Sequence, residues 1–306
     1  MKYAIVDIGS NTIRLIVYQV EDGKIQRVLS EKQTAGLVGY INKEDALAQD
    51  GIDILVTTLA QFKRTAETVL ADEFHAFATA SLRSVSNQAE VLAIVEEQTG
   101  ISIRVLSGEE EAALDFTALR DAVGSESGLM IDLGGGSVEL VQFVNGVRET
   151  SSTISFGSLS LYKNFVENIL PTKQEMKDIK KHVKERIEEA PWLHGCATRA
   201  YLLGGTGRAM AKLYMKVFDA PGELSGYTMD AQKIKKLRRA LLADSMLIIR
   251  NCPDRIHTIL PGITALRAIT KAAGCETITV YDLGIREGYL KQYVLKRGGY
   301  HEHSGL

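Results

Sequence analysis

Cysteine, proline and tryptophan are scarce in this chain of 306 residues, which holds 3 Cys, 5 Pro and 1 Trp. An odd set of widely spaced cysteines (Cys196, Cys252, Cys275) argues against a disulfide framework and fits a reducing compartment. The net charge is −2, so no global field draws in nucleic acid or a membrane surface, and any polyanion has to be held by a local basic surface. No apolar run approaches the roughly 20 residues that cross a bilayer. The chain opens on the strand-like Lys2–Val6, with no basic-then-apolar leader before it. These absences read together as a cytoplasmic protein with neither nucleic acid nor a membrane as partner. Several chemistries lack their signatures as well: there is no Gly-x-x-x-x-Gly-Lys phosphate loop, no His-Glu-x-x-His and no Gly-x-Ser-x-Gly elbow. The histidines show no ligand spacing beyond His301 and His303, which read as part of a frayed tail from Arg297.

What is present is a duplication. Asp7-Ile8-Gly9-Ser10-Asn11-Thr12 and Asp132-Leu133-Gly134-Gly135-Gly136-Ser137 each follow an apolar run and lead into another. The second run ends in Asp22-Gly23 in one copy and Asn145-Gly146 in the other, both strong hairpin signals. An internal repeat of this kind is a fold-level signal: two related domains, each opening on a three-strand meander. At matching places after the two aspartates stand Arg14 and Glu139, so the halves are not chemically equivalent. Turns built from Gly9, Ser10 and Asn11 and from Gly134, Gly135, Gly136 and Ser137 let the backbone approach an anion closely and turn N–H groups toward it.

After each meander strand and helix alternate, which predicts an α/β protein with helices covering a sheet. Helices are expected over 44–70, from Ser86 or Asn87 to Gly100, from Ser107, over about 158–190, over 232–250 as one basic amphipathic helix, and from Gly284 to about Lys296. Strands are expected at 74–80, 101–106, 199–203 and 278–283. The polar stretch 121–127 suggests domains of 1–122 and 123–306. The charged stretch 177–189 reads as the wet side of a helix, since Ile179, Val183 and Ile187 line its other face. The basic run Lys233–Arg239 reads either as a solvated face or as a short track for a polyanion.

In the acidic cluster Ser107-Gly108-Glu109-Glu110-Glu111, Ser107 and Glu110 have the spacing of a capping box. Glu111 has no such structural duty and is a candidate for catalysis. Asp7 and Asp132, carboxylates beside phosphate-binding turns, are candidates to hold Mg²⁺ through oxygen ligands and water. A charged Glu139 in an apolar strand needs a partner or a task, while Arg14 could face a phosphate or a carboxylate. Gly204-Gly205-Thr206-Gly207, between a strand and a helix, offers a third anion site that includes Gly205 and Thr206.

These segments, with Ala78-Thr79-Ala80-Ser81-Leu82-Arg83, Leu260-Pro261-Gly262 and Asp282-Leu283-Gly284-Ile285-Arg286-Glu287-Gly288, resemble the exopolyphosphatase / guanosine pentaphosphate phosphohydrolase (Ppx/GppA) family in its short form. The resemblance implies two ribonuclease-H-like domains of the actin-like ATPase / sugar-kinase superfamily with an interdomain cleft. It implies Glu111 as catalytic base, Asp132 and Glu139 supporting metal and water, and Arg83 with the two glycine turns binding phosphate. The expected reaction is release of terminal orthophosphate from inorganic polyphosphate. The alternatives are a pppGpp 5′-phosphatase, a non-catalytic sensor of guanosine tetraphosphate or polyphosphate, and an ATP phosphotransferase; a homodimer is an accompanying expectation. One departure stands out: where the family carries Arg or His in an Arg-Leu-Gly-x-Gly-like stretch, this chain has Gln33-Thr34-Ala35-Gly36-Leu37.

Overall fold

A computed structural model of the chain describes residues 1–295; the expectations for the tail, for His301 and His303 and for a last helix reaching Lys296 lie outside them. The described residues form two compact units, one of Met1–Glu111 with the chain from Arg286 on, the other of Ala112–Ile285.

In the first unit β1 (Lys2–Ile8), β2 (Thr12–Glu21) and β3 (Lys24–Thr34) form the expected meander, followed by α1 (Gln49–Thr68), β4 (Glu73–Ala78), the short α2 (Ala80–Arg83), α3 (Gln88–Thr99) and β5 (Ile103–Val105). The sheet order is β3-β2-β1-β4-β5, with β1–β2 and β2–β3 antiparallel and β4 and β5 parallel additions. Asp22 and Gly23 both take positive φ (48° and 74°), the type I′ geometry whose twist matches the strands it joins. The apolar stripe of α1 supplies Leu55, Leu59 and Phe62, each fully buried and each contributing about 1.5–3 kcal/mol relative to exposure. Gly100 stops α3 with φ 65°, the left-handed cap that glycine adopts without strain.

α4 (Gly108–Val123) leads into the second unit: β6 (Gly128–Leu133), β7 (Val138–Val144), β8 (Val147–Ile154), α5 (Ser158–Phe165), α6 (Lys173–Arg186), β9 (Arg199–Leu203), α7 (Gly204–Val217), β10 (Tyr227–Asp230), α8 (Ile234–Ala243), α9 (Met246–Asn251), α10 (Ile259–Ala273) and β11 (Thr277–Val280). The order β10-β11-β9-β6-β7-β8 repeats the first sheet and adds β10 antiparallel at its edge. Asn145 and Gly146 repeat the positive-φ turn at 51° and 73°. The architecture is therefore α/β with two ribonuclease-H-like sheets. The cysteines are free, and no helix among the described residues is long and apolar enough to cross a membrane.

The division of the chain does not fall at 122/123. It falls inside α4, and α11 (Ile285–Tyr289) brings the chain back to the first unit. The cause is a second sheet face in each unit that has to be covered. Ala112, Phe116, Leu119 and Val123 pack on Met130, Val141 and Phe143 of the second sheet. On the first sheet Tyr289 stacks on Phe77 at 4.8 Å, and the Tyr18 hydroxyl donates to Glu287 at 2.5 Å.

Two other expectations change. The single helix over 232–250 is a 3₁₀ turn, α8 and α9, because the Asp244 carboxylate takes the Met246 N–H at 3.0 Å and offers the backbone a local alternative to the helix. The helix α10 was masked by Pro261 and Gly262. Proline is harmless in a first turn, where its missing N–H has no acceptor, and a Cβ on Gly262 would lie 2.6 Å from the Thr206 methyl.

Candidate active site

The two hairpin tips are built alike. Gly9 N–H donates to the Thr12 carbonyl at 3.1 Å, and Gly134 N–H to the Ser137 carbonyl at 3.0 Å. In the first unit the Ser10 carbonyl accepts from Val38 N–H at 3.1 Å, and the Asn11 carbonyl from Ala35 and Gly36 N–H at 3.1 and 3.0 Å. In the second unit the start of α5 does this work: Ser158 N–H reaches the Gly134 carbonyl at 2.8 Å, and Leu159 and Ser160 N–H reach the Gly135 carbonyl at 3.0 Å each. In a trans peptide the carbonyl and the following N–H point in opposite directions. Holding these carbonyls toward the body of each unit therefore turns the N–H groups of Asn11, Gly135 and Gly136 away from it. No hydrogen bond among the described residues uses those three amides. They are backbone donors that the rest of the described residues leaves available. The close approach of α5 depends on Gly157, because a Cβ there would overlap the Gly135 carbonyl. Ser10 and Ser137 are nearly buried (9% and 6% exposed), so at both tips the backbone is the part presented.

The matching charges fall opposite the aspartates. Across β1–β2, Asp7 faces Arg14; across β6–β7, Asp132 faces Glu139. Directly opposed residues have Cβ atoms about 4.5–5.5 Å apart on one face, so Asp132 and Glu139 form a carboxylate pair and Asp7 and Arg14 do not. Mg²⁺ is commonly held by one or two carboxylates with water and substrate oxygens completing its shell. The Asp132–Glu139 pair fits such an ion. No group of three or more His, Cys, Asp or Glu among the described residues could hold a metal. Asp7, expected as a further metal ligand, is instead ion-paired with Arg286 at 2.7 Å. Burial works against the Arg286 charge, yet Asp7 and Glu287 outweigh it and hold its pKa above the ordinary arginine value. Glu287 also pairs with Arg27 at 2.7 Å.

Glu111 and Arg83 come together. Arg83, at the end of α2, donates to Glu111 Oε1 and to the Leu106 carbonyl, the latter at 3.1 Å. Glu111 is 6% exposed, and the ion pair fixes the direction of its carboxylate. The neighbouring Glu110 does what its spacing predicts: Ser107 N–H donates to Glu110 Oε2 at 2.8 Å and Glu110 N–H to Ser107 Oγ at 3.1 Å. The Ser107 amide and Arg104 hold the Glu110 pKa below its usual range despite partial burial. Glu110→Gln is therefore expected to cost about 0.5–1 kcal/mol of stability with activity intact. Because the folded-state pKa is depressed, the contribution is present above pH 4.5 and is lost as pH falls below it. Urea unfolding at pH 7 and pH 3.5 checks this, and an equal gap between wild type and variant at both pH values would contradict it.

The third glycine turn is divided in role. Gly204 has φ 70°, and a Cβ on it would overlap Asp132 Oδ1. A Cβ on Gly205 would overlap the Arg255 guanidinium. Thr206, expected to bind phosphate, is 2% exposed and its hydroxyl donates to the Leu133 carbonyl at 3.0 Å. It is a brace for the turn. Sequence reasoning missed Arg255 and gave Arg286 no role. Burial lowers the Arg255 pKa while Asp254, Cys252 and Asp132 oppose the shift, which places a partly desolvated cation beside the Asp132 turn. Nothing around Cys252-Pro253-Asp254-Arg255 signals this, whereas Arg286 lies in the Asp282–Gly288 segment already singled out.

The family model of the Ppx/GppA phosphatase family matches residues 16–297. Exopolyphosphatase 1 of Mycobacterium leprae is 25% identical over 95% of this chain and 88% of its own length. Among solved structures, the exopolyphosphatase of Cytophaga hutchinsonii superposes with a TM-score of 0.85 at 21% identity, covering 98% of each chain. The Ppx/GppA protein of Aquifex aeolicus gives 0.80 at 24% identity, over 97% of this chain and 98% of that one; both likenesses are of fold.

Proposed function

Because the chain belongs to the Ppx/GppA phosphatase family, we propose that it hydrolyses the terminal phosphoanhydride of inorganic polyphosphate and releases orthophosphate. The observation that carries this reading is the Glu111 carboxylate, nearly buried and aimed by Arg83, since a protein that only bound phosphate would need no base. The name of the mycobacterial relative supports an inorganic chain as substrate.

Hydrolysis requires a water in line with the leaving oxygen, a group to take its proton, and neutralisation of the phosphoryl oxygens. Glu111 takes the proton, and Arg83 holds it in the orientation to do so. In each unit the outward amides, Asn11 in the first and Gly135 and Gly136 in the second, are of the kind that stabilises phosphoryl oxygens as charge moves onto them. Asp132 and Glu139 would hold a divalent cation such as Mg²⁺, which when bound supplies charge neutralisation and acidifies water.

A second reading, a pppGpp 5′-phosphatase, is favoured by one feature. The exposed Gln33 and Thr34 lead into the Ala35–Val38 segment that braces the Ser10–Asn11 tip, and Gln33–Leu37 contains no cation. A segment that adds no cation to Lys32 and Arg14 suits a short or nucleotide-borne phosphate chain better than a long one. Phosphate release measured on long polyphosphate, short polyphosphate, pppGpp and ATP separates these readings. The expected result is turnover of short chains or pppGpp with higher kcat/KM than long chains, weakened by salt and abolished by excess EDTA. Release from none of the four would overturn the hydrolase reading. Efficiency rising to the longest chain would overturn the length preference, and full activity in EDTA the metal.

A further inference from the structure

Three helices of the second unit gather cations on one surface. α6 carries Lys180 and Lys184, α8 carries Arg238 and Arg239, and α10 carries Arg267 and Lys271. α10 packs against both α6 and α8, through Ile179, Val183, Leu237, Ile263 and Leu266 of the core. That core lies on the sheet face lined by Leu129, Ile131 and Leu140. Asp132 and Glu139 follow the alternation of Met130 and Val141, which line the opposite face. The cluster is thus separate from the carboxylate pair.

The bland reading is a solvated helix face, and it fits the exposed Lys184, Arg239 and Lys271. It does not fit the rest. Arg238 is partly buried; its Nη1 donates to Thr264 Oγ1 at 3.3 Å, and its Nε is buried with no hydrogen-bond partner. Lys180 and Arg267 are only partly exposed. Lys180 and Lys184, like Arg267 and Lys271, are like-charge pairs one turn apart, an arrangement that destabilises a helix. Burial lowers the Lys180 pKa, and Lys184, Arg267, Lys271 and Arg238 lower it further. Burial, Arg267 and Arg239 do the same to Arg238. No ion pair among the described residues engages any of the six, although Lys181 and Arg186 of the same helix pair with Glu185 and Glu189. Three helices therefore hold mutually repelling cations near one another, and among the described residues none of them is in an ion pair. A multivalent anion would relieve the repulsion.

We propose that the surface formed by Lys180, Lys184, Arg238, Arg239, Arg267 and Lys271 is a second, non-catalytic binding site for a chain of phosphates. Guanidinium groups match phosphate oxygens in pairs, and lysines add point charge. None of the six side chains is a carboxylate, hydroxyl or thiol, so the site binds and does not turn over its ligand.

The test is calorimetric titration with methylene-bridged triphosphate, which resists hydrolysis, into wild type, Lys180→Ala/Arg267→Ala and Arg83→Ala. Wild type is expected to show two classes of site. The double variant should lose one, or bind there on the order of tenfold more weakly or worse, and Arg83→Ala should keep that one. Removing like charges is expected to leave the melting temperature unchanged or higher, and Lys184→Ala/Lys271→Ala provides an independent second variant. A parallel titration with β,γ-methylene GTP distinguishes the source: equal affinity assigns the phosphate chain alone, and tighter binding lost in the same variants assigns a nucleotide. Unchanged stoichiometry and affinity in both double variants would overturn the proposal, as would a single-stranded oligonucleotide that binds this surface more tightly than either phosphate probe.

Discussion

Glu111→Gln is expected to lower kcat by about 10²–10⁴-fold, the usual contribution of a positioned proton acceptor, while binding of a non-hydrolysable phosphate chain stays within a few-fold of wild type. Glutamine keeps the volume of the side chain, and its amide oxygen can still accept from Arg83, so the nearly buried site remains filled and hydrogen-bonded. What is lost is the capacity to take a proton from water. Glu110→Gln is the internal control, one residue away on the same helix and occupied by the Ser107 cap. Steady-state phosphate release combined with calorimetric binding separates the two roles. If Glu111→Gln turned over within a few-fold of wild type, the assignment of the base would fail, whereas loss of binding together with turnover would make the residue a structural anchor for Arg83.

Most of this arrangement was legible because it is written in local chemistry that appears twice. Asp22-Gly23 and Asn145-Gly146 fix their hairpins by turn geometry alone. The two acidic glycine turns fix the register that sets Asp7 against Arg14 and Asp132 against Glu139. The Ser107–Glu110 box needs nothing outside four residues of helix. What the sequence does not show has the opposite character. Asp7 looks like the twin of Asp132 until Arg286, distant in sequence, arrives beside it. Thr206 looks like a phosphate ligand until the Leu133 carbonyl takes its hydroxyl. α10 stayed hidden because Gly262 answers to Thr206 on another helix. A single sequence shows which residues can bond, and tertiary packing decides which partner each of them meets.

Gly204→Ala is expected to damage the second unit by more than backbone strain alone, and Gly226→Ala shows why. Both glycines sit at positive φ, 70° and 83°, so alanine at either place is strained by about 1–2 kcal/mol. Around Gly226 a Cβ meets nothing within 4 Å, and strain is the whole effect. At Gly204 the added Cβ overlaps Asp132 Oδ1, and relief requires movement of either the carboxylate or the first turn of α7. Such overpacking adds about 1–3 kcal/mol, so the total loss should reach about 2–5 kcal/mol by urea unfolding against about 1–2 for Gly226→Ala. Activity should separate the pair more sharply. A displaced Asp132 no longer opposes Glu139 in the geometry that suits a cation, and misplacement of about 1 Å can cost on the order of 100-fold in rate. Folded Gly204→Ala should therefore lose activity on that scale and require more Mg²⁺, while Gly226→Ala retains wild-type kcat/KM. Equal stability and equal activity in the two variants would show that Asp132 has room to yield and that its position next to Gly204 is not what the reaction depends on.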